Sequence, residues 1–208
     1  MASAPNTVTG ELRPGRRPST SHADLARIGM RLFIERGFDE TTVDDIAAAA
    51  GIGRRTFFRY FSSKSDVPWG DFDVTLERMR RFLAEVPADV SLVEALRMAI
   101  VDANRLDPET ASLQRERMTL LLTVPHLIAH STLRYAAWRQ VVAEYVARRR
   151  GVAEDSLEPQ AIAWAFLGAC QSAYEHWLRD EQSDLSALLN DAIHLLGGAF
   201  DPEDGRGA

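Results

Sequence analysis

The stretch TVDDIAAAAGIGRRTFFRYFSSK, residues 42–64, constrains this chain more than any other. Its pattern predicts a short helix, a tight glycine-bearing turn, a second short helix and then a basic cap. The second helix turns Phe57 and Phe61 inward and Arg54, Arg55, Thr56, Arg59 and Tyr60 outward. An exposed face of that kind, on the second helix of a helix-turn-helix, has the chemistry to read a DNA groove. The competing reading is an ordinary helical hairpin inside a core. Such a hairpin has no use for Arg54, Arg55, Arg59 and Lys64 together.

The punctuation of the motif agrees with this reading. Thr41 or Thr42 can cap the first helix, and Asp44 and Asp45 follow in its first turn, where the helix dipole favours negative charge. Val43, Ile46, Ala47 and Ala50 form its inward stripe, and Gly51 ends it. Ile52 plugs the turn, and Gly53 is an adequate but weaker cap for the second helix.

Residues 21–66 resemble the DNA-binding domain of the TetR family of one-component regulators. The resemblance is carried by Ala26, Leu32, Phe33, Gly37, Phe38, Thr41, Thr42, Ile46, Ala47, Gly51, Thr56, Phe57, Phe61, Ser63 and Lys64. Within the family, GIGRRTFFRYF followed by PWGDFD is similar to regulators of the mycofactocin system. The resemblance implies a DNA-binding set of Thr42, Arg54, Arg55, Thr56, Phe58, Arg59, Tyr60 and Lys64, with Lys64 on a phosphate. One residue departs from the pattern. The family usually carries a tyrosine where this chain has Phe58, so that hydroxyl-to-phosphate contact is lost or replaced by an apolar one.

Charge is unevenly spread. Residues 1–64 hold ten Lys/Arg against seven Asp/Glu, a balance of +3, in a chain of net charge −6, which leaves −9 for the remainder. A basic head on an acidic body suits a DNA module joined to a body that should not stick to DNA. Cys170 is the only cysteine, so no intramolecular disulfide forms and a reducing cytoplasm is the expected setting. Neither a secretory leader nor a membrane span is expected.

The rest of the chain predicts an all-α fold of about nine helices. Residues 1–19 read as a flexible tail whose Arg13, Arg16 and Arg17 could lie in a minor groove, and a solvated tail is the alternative. A three-helix DNA-binding head is expected over 20–65, a ligand-binding and dimerisation body over 66–200, and a second tail over 201–208. Ser65 or Asp66 should cap a helix reaching about Val86, with Pro68 in its first turn and Gly70 just inside. Further helices are expected over 91–106, 108–123, 125–150, 157–179 and 185–199.

Two features of the body bear on function. Ala161, Ala165, Gly168 and Ser172 form a smooth stripe at helical spacing, and Leu188, Ala192 and Leu195 belong to an apolar face wider than one neighbour needs. The resemblance implies a four-helix homodimer interface there; packing within the monomer is the alternative. Met118, Leu122, Trp138, Trp164 and Tyr174 are the candidates for an effector cavity, with Arg115 and Arg117, or residues 148–150, holding a phosphate-bearing head. For each aromatic, plain core is the competing role.

His126 and His130 have the spacing of a metal pair but no third ligand nearby, so no metal and no cofactor is expected. No nucleophile elbow, HExxH, phosphate loop or dinucleotide pattern is present, so enzymatic activity has no support. The expected partners are a palindromic double-stranded operator, a second copy of the chain and a small hydrophobic effector, long-chain acyl-CoA being the first choice. Control of another efflux or lipid-metabolism operon, a helical enzyme, and a helical adaptor that binds an acidic protein remain the alternatives.

Overall fold

The structure is a computed structural model that describes residues 20–105 and 110–200, the last three by backbone alone. The expected tails, including Arg13, Arg16 and Arg17, and the residues around Leu106 and Pro108 lie outside the described residues.

Among the described residues the chain forms nine α-helices and no strand. Helix α1, His22–Arg36, starts at a capping box in which Ser21 and Asp24 satisfy each other's backbone, and it stops at Gly37. Helix α2, Val43–Ala49, repeats the device with Thr42 and Asp45. Thr42 is therefore the cap. Thr41 is buried and donates instead to the carbonyls of Gly37 (2.8 Å) and Leu32 (3.3 Å), which ties the loop to the end of α1. Helix α3, Arg54–Tyr60, is one of two seven-residue helices in this head. Helices that short are marginal alone and persist because their apolar faces are buried.

The expected single helix over 65–86 is two elements. Ser63 and Asp66 form the capping box of a 3₁₀ segment, Lys64–Trp69, and helix α4, Phe72–Glu85, begins only after a break. The reason is local. Pro68 cannot donate to a helical ladder, and Gly70 takes φ 49°, a conformation that side chains with a Cβ resist.

The body continues with α5 (Leu92–Ala103), α6 (Ala111–Thr123), α7 (Pro125–Arg150), α8 (Leu157–Arg179) and α9 (Leu185–Phe200). Asn104 ends α5 before the expected Leu106. Helix α8 packs on α7 and α9, α5 lies against α4 and α9, and α6 rests on α7.

Two apolar cores result. The head core gathers Leu25, Met30 and Phe33 of α1 with Ile46, Phe57, Phe61 and Val67, all nearly or fully buried. It also takes in Leu127 of α7, with Leu113, Leu120 and Val124 packed against it, so the α6–α7 corner plugs into the head. The body core is built on Leu96, Ile100, Val142, Phe166, Trp177, Leu189 and Ile193. Each large side chain buried this way contributes about 1.5–3 kcal/mol.

The 3₁₀ segment runs between the two cores and touches α1, α6 and α7. Gly29 of α1 permits that approach: a Cβ there would stand 2.5 Å from Val67 Cγ1.

Candidate nucleic-acid interface and effector cavity

On α3, Phe57 is fully buried and Phe61 nearly so, which turns Arg54, Arg55 and Arg59 to solvent. Arg54 donates to Asp44 of α2 at 2.8 Å and lies 5.5 Å from the Phe58 ring centre. Arg59 lies over Tyr60. Arg55 has no ion pair, hydrogen bond or ring contact among the described residues, and so offers all its donors outward. Thr56 is half-buried. Phe58 is 45% exposed and set edge-on against Phe57.

Two residues expected on the DNA also brace the head. Lys64 Nζ donates to the carbonyls of Phe38 (2.7 Å) and Thr41 (2.8 Å) and sits 4.2 Å from the Phe38 ring centre. Two of its three donors are thus engaged internally, which leaves one for a phosphate. Tyr60 donates its hydroxyl to the carbonyl of Thr20 at 2.6 Å, fastening α3 to the start of α1. Both contacts join elements far apart in sequence, which is why spacing along α3 did not reveal them.

Beside the apolar α6–α7 plug, the joint between head and body carries a polar cluster. Asp66 receives Ser63 Oγ and the Ser63 amide, both at 2.9 Å, and on its other oxygen meets Arg134 (2.8 Å) and His130 (2.9 Å) of α7. Burial works to raise the Asp66 pKa, but the hydrogen bonds from Arg134, His130 and Ser63 outweigh it and hold the carboxyl below its ordinary range. Arg134 also reaches Asp73 of α4 at 3.3 Å. His130 therefore ties α7 to the 3₁₀ segment, and its helical neighbour His126 is exposed beside the Phe38 ring.

A cavity of about 450 Å³ opens between the 3₁₀ segment and α4, α5, α6, α7 and α8. Of the five candidates, Met118, Trp138 and Tyr174 line it, together with Trp69, Phe72, Leu121, Tyr135, Leu167 and Gln171. Leu122 and Trp164 do not. Leu121 takes the inward position on α6, and Leu122, one residue and about 100° further round the helix, packs on the body core. Trp164 is 56% exposed, with Arg139 3.6 Å from its ring centre.

Burial pushes the wall thiol Cys170 up to about 12, so it serves as an inert apolar group. Burial likewise raises Tyr174, whose hydroxyl donates to Asn104 Oδ1.

Of the expected arginines, Arg117 alone lies in the cavity lining. Arg115 is engaged with the Trp177 carbonyl and lies over the Trp177 ring. Arg149 donates to the carbonyls of Ala88 and Val90, and Arg150 pairs with Glu158. None of these three, nor Arg148, lines the cavity, and Arg117 does.

On α8 the small stripe faces out. Ala161, Gly168 and Ser172 are exposed, Ala165 is half-buried, and a Cβ on Gly168 would meet nothing within 4 Å. Trp164 and Leu157, the latter 84% exposed, continue the same face at helical spacing. On α9, Leu188 and Ala192 pack partly on the body core, whereas Leu195 is 84% exposed. Large exposed apolar side chains in register on one helix mark a contact surface.

Comparison with known proteins adds the following. Residues 90–201 match the family model described as the MftR C-terminal domain. Residues 27–67 match the model of bacterial regulatory proteins of the tetR family. The chain is 43% identical over 191 residues to a Mycobacterium tuberculosis protein named for control of mycofactocin biosynthesis, the transcriptional regulator MftR, covering 92% of this chain and 96% of that protein. It is 28% identical over 194 residues to the HTH-type transcriptional regulator TcmR of Streptomyces glaucescens, covering 88% and 86% of the two chains. Among solved structures, FadR of Thermus thermophilus, a TetR-family transcriptional repressor in complex with lauroyl-CoA, is similar with a TM-score of 0.57 and 23% identity, over 90% of this chain and 99% of that one. The fatty acid degradation regulator FadR from Bacillus halodurans has a TM-score of 0.62 and 19% identity, over 85% and 98%. At those identities the two structures speak for the fold alone. No helix among the described residues is long and apolar enough to cross a membrane.

Proposed function

The chain belongs to the TetR family of bacterial transcriptional regulators, and from that premise we propose that it is a homodimeric repressor of mycofactocin biosynthesis genes, released from a palindromic operator by a long-chain acyl-CoA. Residues 20–65 serve as the DNA-binding head, and 66–200 as the effector-binding and dimerisation body. Arg54, Arg55, Thr56 and Arg59 read the groove, with Thr42, Phe58, Tyr60 and Lys64 at the backbone of the DNA. The α8 stripe and Leu195 of α9 pair the two copies, which sets the recognition helices apart by a fixed span matched to one turn of DNA.

The observation that carries the reading is the position of the cavity. Its wall includes Pro68 and Trp69, the end of the same 3₁₀ segment whose Lys64 grips the head loop and whose Asp66 is gripped by α7. An occupant that moves Trp69 therefore moves the head. Mechanistically this is a population shift, in which the effector favours a spacing of the two heads that no longer fits the operator. Moving from 1:99 to 99:1 takes about 5.5 kcal/mol of differential affinity. A long acyl chain can supply that at about 0.8 kcal/mol per buried methylene. The lauroyl-CoA bound by the Thermus thermophilus repressor supports the choice of ligand class.

Fluorescence anisotropy on a labelled operator tests the proposal. Release should grow with acyl chain length and fail with free coenzyme A; equal release by short and long chains, or by none, sinks the effector reading. Gly168→Leu tests the assembly. In one protomer the added side chain enters open space, so folding should be unaffected. Against a partner helix the overpacking should cost roughly 1–3 kcal/mol per contact and shift the dimer toward monomer. An intact dimer by sedimentation would place the interface elsewhere.

A further inference from the structure

Inside the cavity stands a positive charge with no salt bridge among the described residues, favoured only by the Asp71 carboxylate from beyond ion-pair distance. Arg117 of α6 donates through Nη1 to Gln114 Oε1, a neutral acceptor, at 3.1 Å. Its Nε is buried with no acceptor, and it forms no ion pair among the described residues. The carboxylate in the cavity wall, Asp71, has an oxygen 2.7 Å from His22 Nδ1 and is not paired with Arg117. A second donor in the same wall is also orphaned: the indole N–H of Trp69 is buried without a partner. Tyr174 has spent its proton on Asn104. Phe72, Met118, Leu121, Trp138 and Leu167 supply the apolar part of the lining, and Arg78 and Arg105 are the other cations in it, Arg78 being paired with Asp102.

Unmatched donors and an unmatched cation against apolar walls define a complement. Burial of a charged group without a close partner is costly, and burial works against the Arg117 charge more than the Asp71 carboxylate favours it. A methionine would fill the same space at less cost. We propose that Arg117, with Trp69 beside it, is an oxyanion subsite inside the cavity, and that the effector is an amphipathic anion whose acidic group sits on Arg117 while its chain lies on the apolar wall. The guanidinium can present two N–H groups to two oxygens of a carboxylate or phosphate, which a lysine cannot do. The subsite also adjoins the hinge: Arg117 Nη2 is 3.8 Å from where a Cβ on Gly70 would stand, at the break between the 3₁₀ segment and α4. An anion that repositions Arg117 acts directly on that break.

This proposal rests on the cavity being the effector site, and the probes are chosen to separate the two claims. Calorimetric titrations of the full chain use dodecanoate, dodecanoyl-CoA and the neutral dodecanol. Wild type should bind at least one of the two anions roughly ten- to hundredfold more tightly than dodecanol, the range expected of a charge-assisted contact. Arg117→Met should abolish that preference and leave dodecanol binding intact, and Arg117→Lys should keep part of it. Whichever anion loses affinity in Arg117→Met identifies the acidic group, carboxylate or phosphate. Equal binding of neutral and anionic probes by wild type, or a preference that survives in Arg117→Met, overturns the subsite and leaves the cavity reading standing. Binding of none of the three overturns the cavity reading, and the subsite with it. A ligand-free readout runs alongside. Arg117→Met should melt about 2–4 °C above wild type, because an uncompensated buried charge is gone. A melting point several degrees lower would make Arg117 a structural residue and overturn the proposal.

Discussion

The arginines of α3 and Arg117 of α6 place the same guanidinium in opposite surroundings. On α3 the groups stand in water over a buried Phe57 and Phe61, and each can turn toward a phosphate or a base edge at little cost. In the body the group lies in a cavity of mixed polar and apolar walls with one neutral hydrogen-bond partner. The first arrangement hardly taxes stability and acts only when a polyanion arrives, so its effect is strongly salt-dependent. The second is costly until an anion arrives, so its effect is a stability change that depends on the ligand. On the proposed reading the head recognises by exposure and the body by enclosure, and between them stands a short segment held by polar contacts at Lys64 and Asp66.

The largest effect should separate the two cores. Phe57→Ala removes the centre of the head core and should cost about 3–5 kcal/mol. DNA binding should be lost while calorimetry still finds effector binding in the body. A single melting transition shifted as a whole, with effector binding lost too, would make head and body one cooperative unit and dissolve the contrast. Next in size is the difference between two neighbours on α3. Arg55→Ala should cost about 1–3 kcal/mol in operator affinity and relax specificity at one position. Arg54→Ala should cost less, because Arg54 already shares its charge with Asp44 in an exposed pair. Anisotropy at two salt concentrations decides it, and equal losses for both would remove the special standing of Arg55.

The smallest effect concerns the joint. The Asp66 carboxyl is held below its ordinary range, so its stabilising contribution is complete above the unfolded value of about 3.9 and is lost as pH falls through the lower folded value. The stability gap between wild type and Asp66→Asn should accordingly be flat from pH 7 to 5 and close below about pH 4. A gap that persists unchanged into that acid range would mean that the ionic character of the Asp66 contacts contributes nothing.

Much of the head was legible because its signals are local. Capping residues, a glycine after α2 and the alternation of Phe57 and Phe61 with arginines all act within one or two turns, and the helices form where those signals put them. The inward turns of Lys64 and Tyr60 were not legible, since each answers to a carbonyl many residues away, at Phe38 and Thr41 or at Thr20. Gly29 carried a faint signal, a glycine inside a helical pattern, and its reason is the approach of Val67. The break at Gly70 was visible as a proline and a glycine two residues apart, and the weight of the apolar pattern on both sides hid it.

By itself the sequence determined an all-α chain, a two-helix reader with its cations outward, and a stripe of small residues on the eighth helix, because helical periodicity relates a residue to its own axis. Only the tertiary structure decided which stripe meets which neighbour. It put Leu121 in the cavity in place of Leu122, kept Arg117 there and took Arg115 away to Trp177, sent Trp164 to the surface, and left Gly168 facing open space. A cavity is a gap between helices. Its lining depends on the crossing angles and heights at which six separate elements come together, and no single element's pattern contains that information.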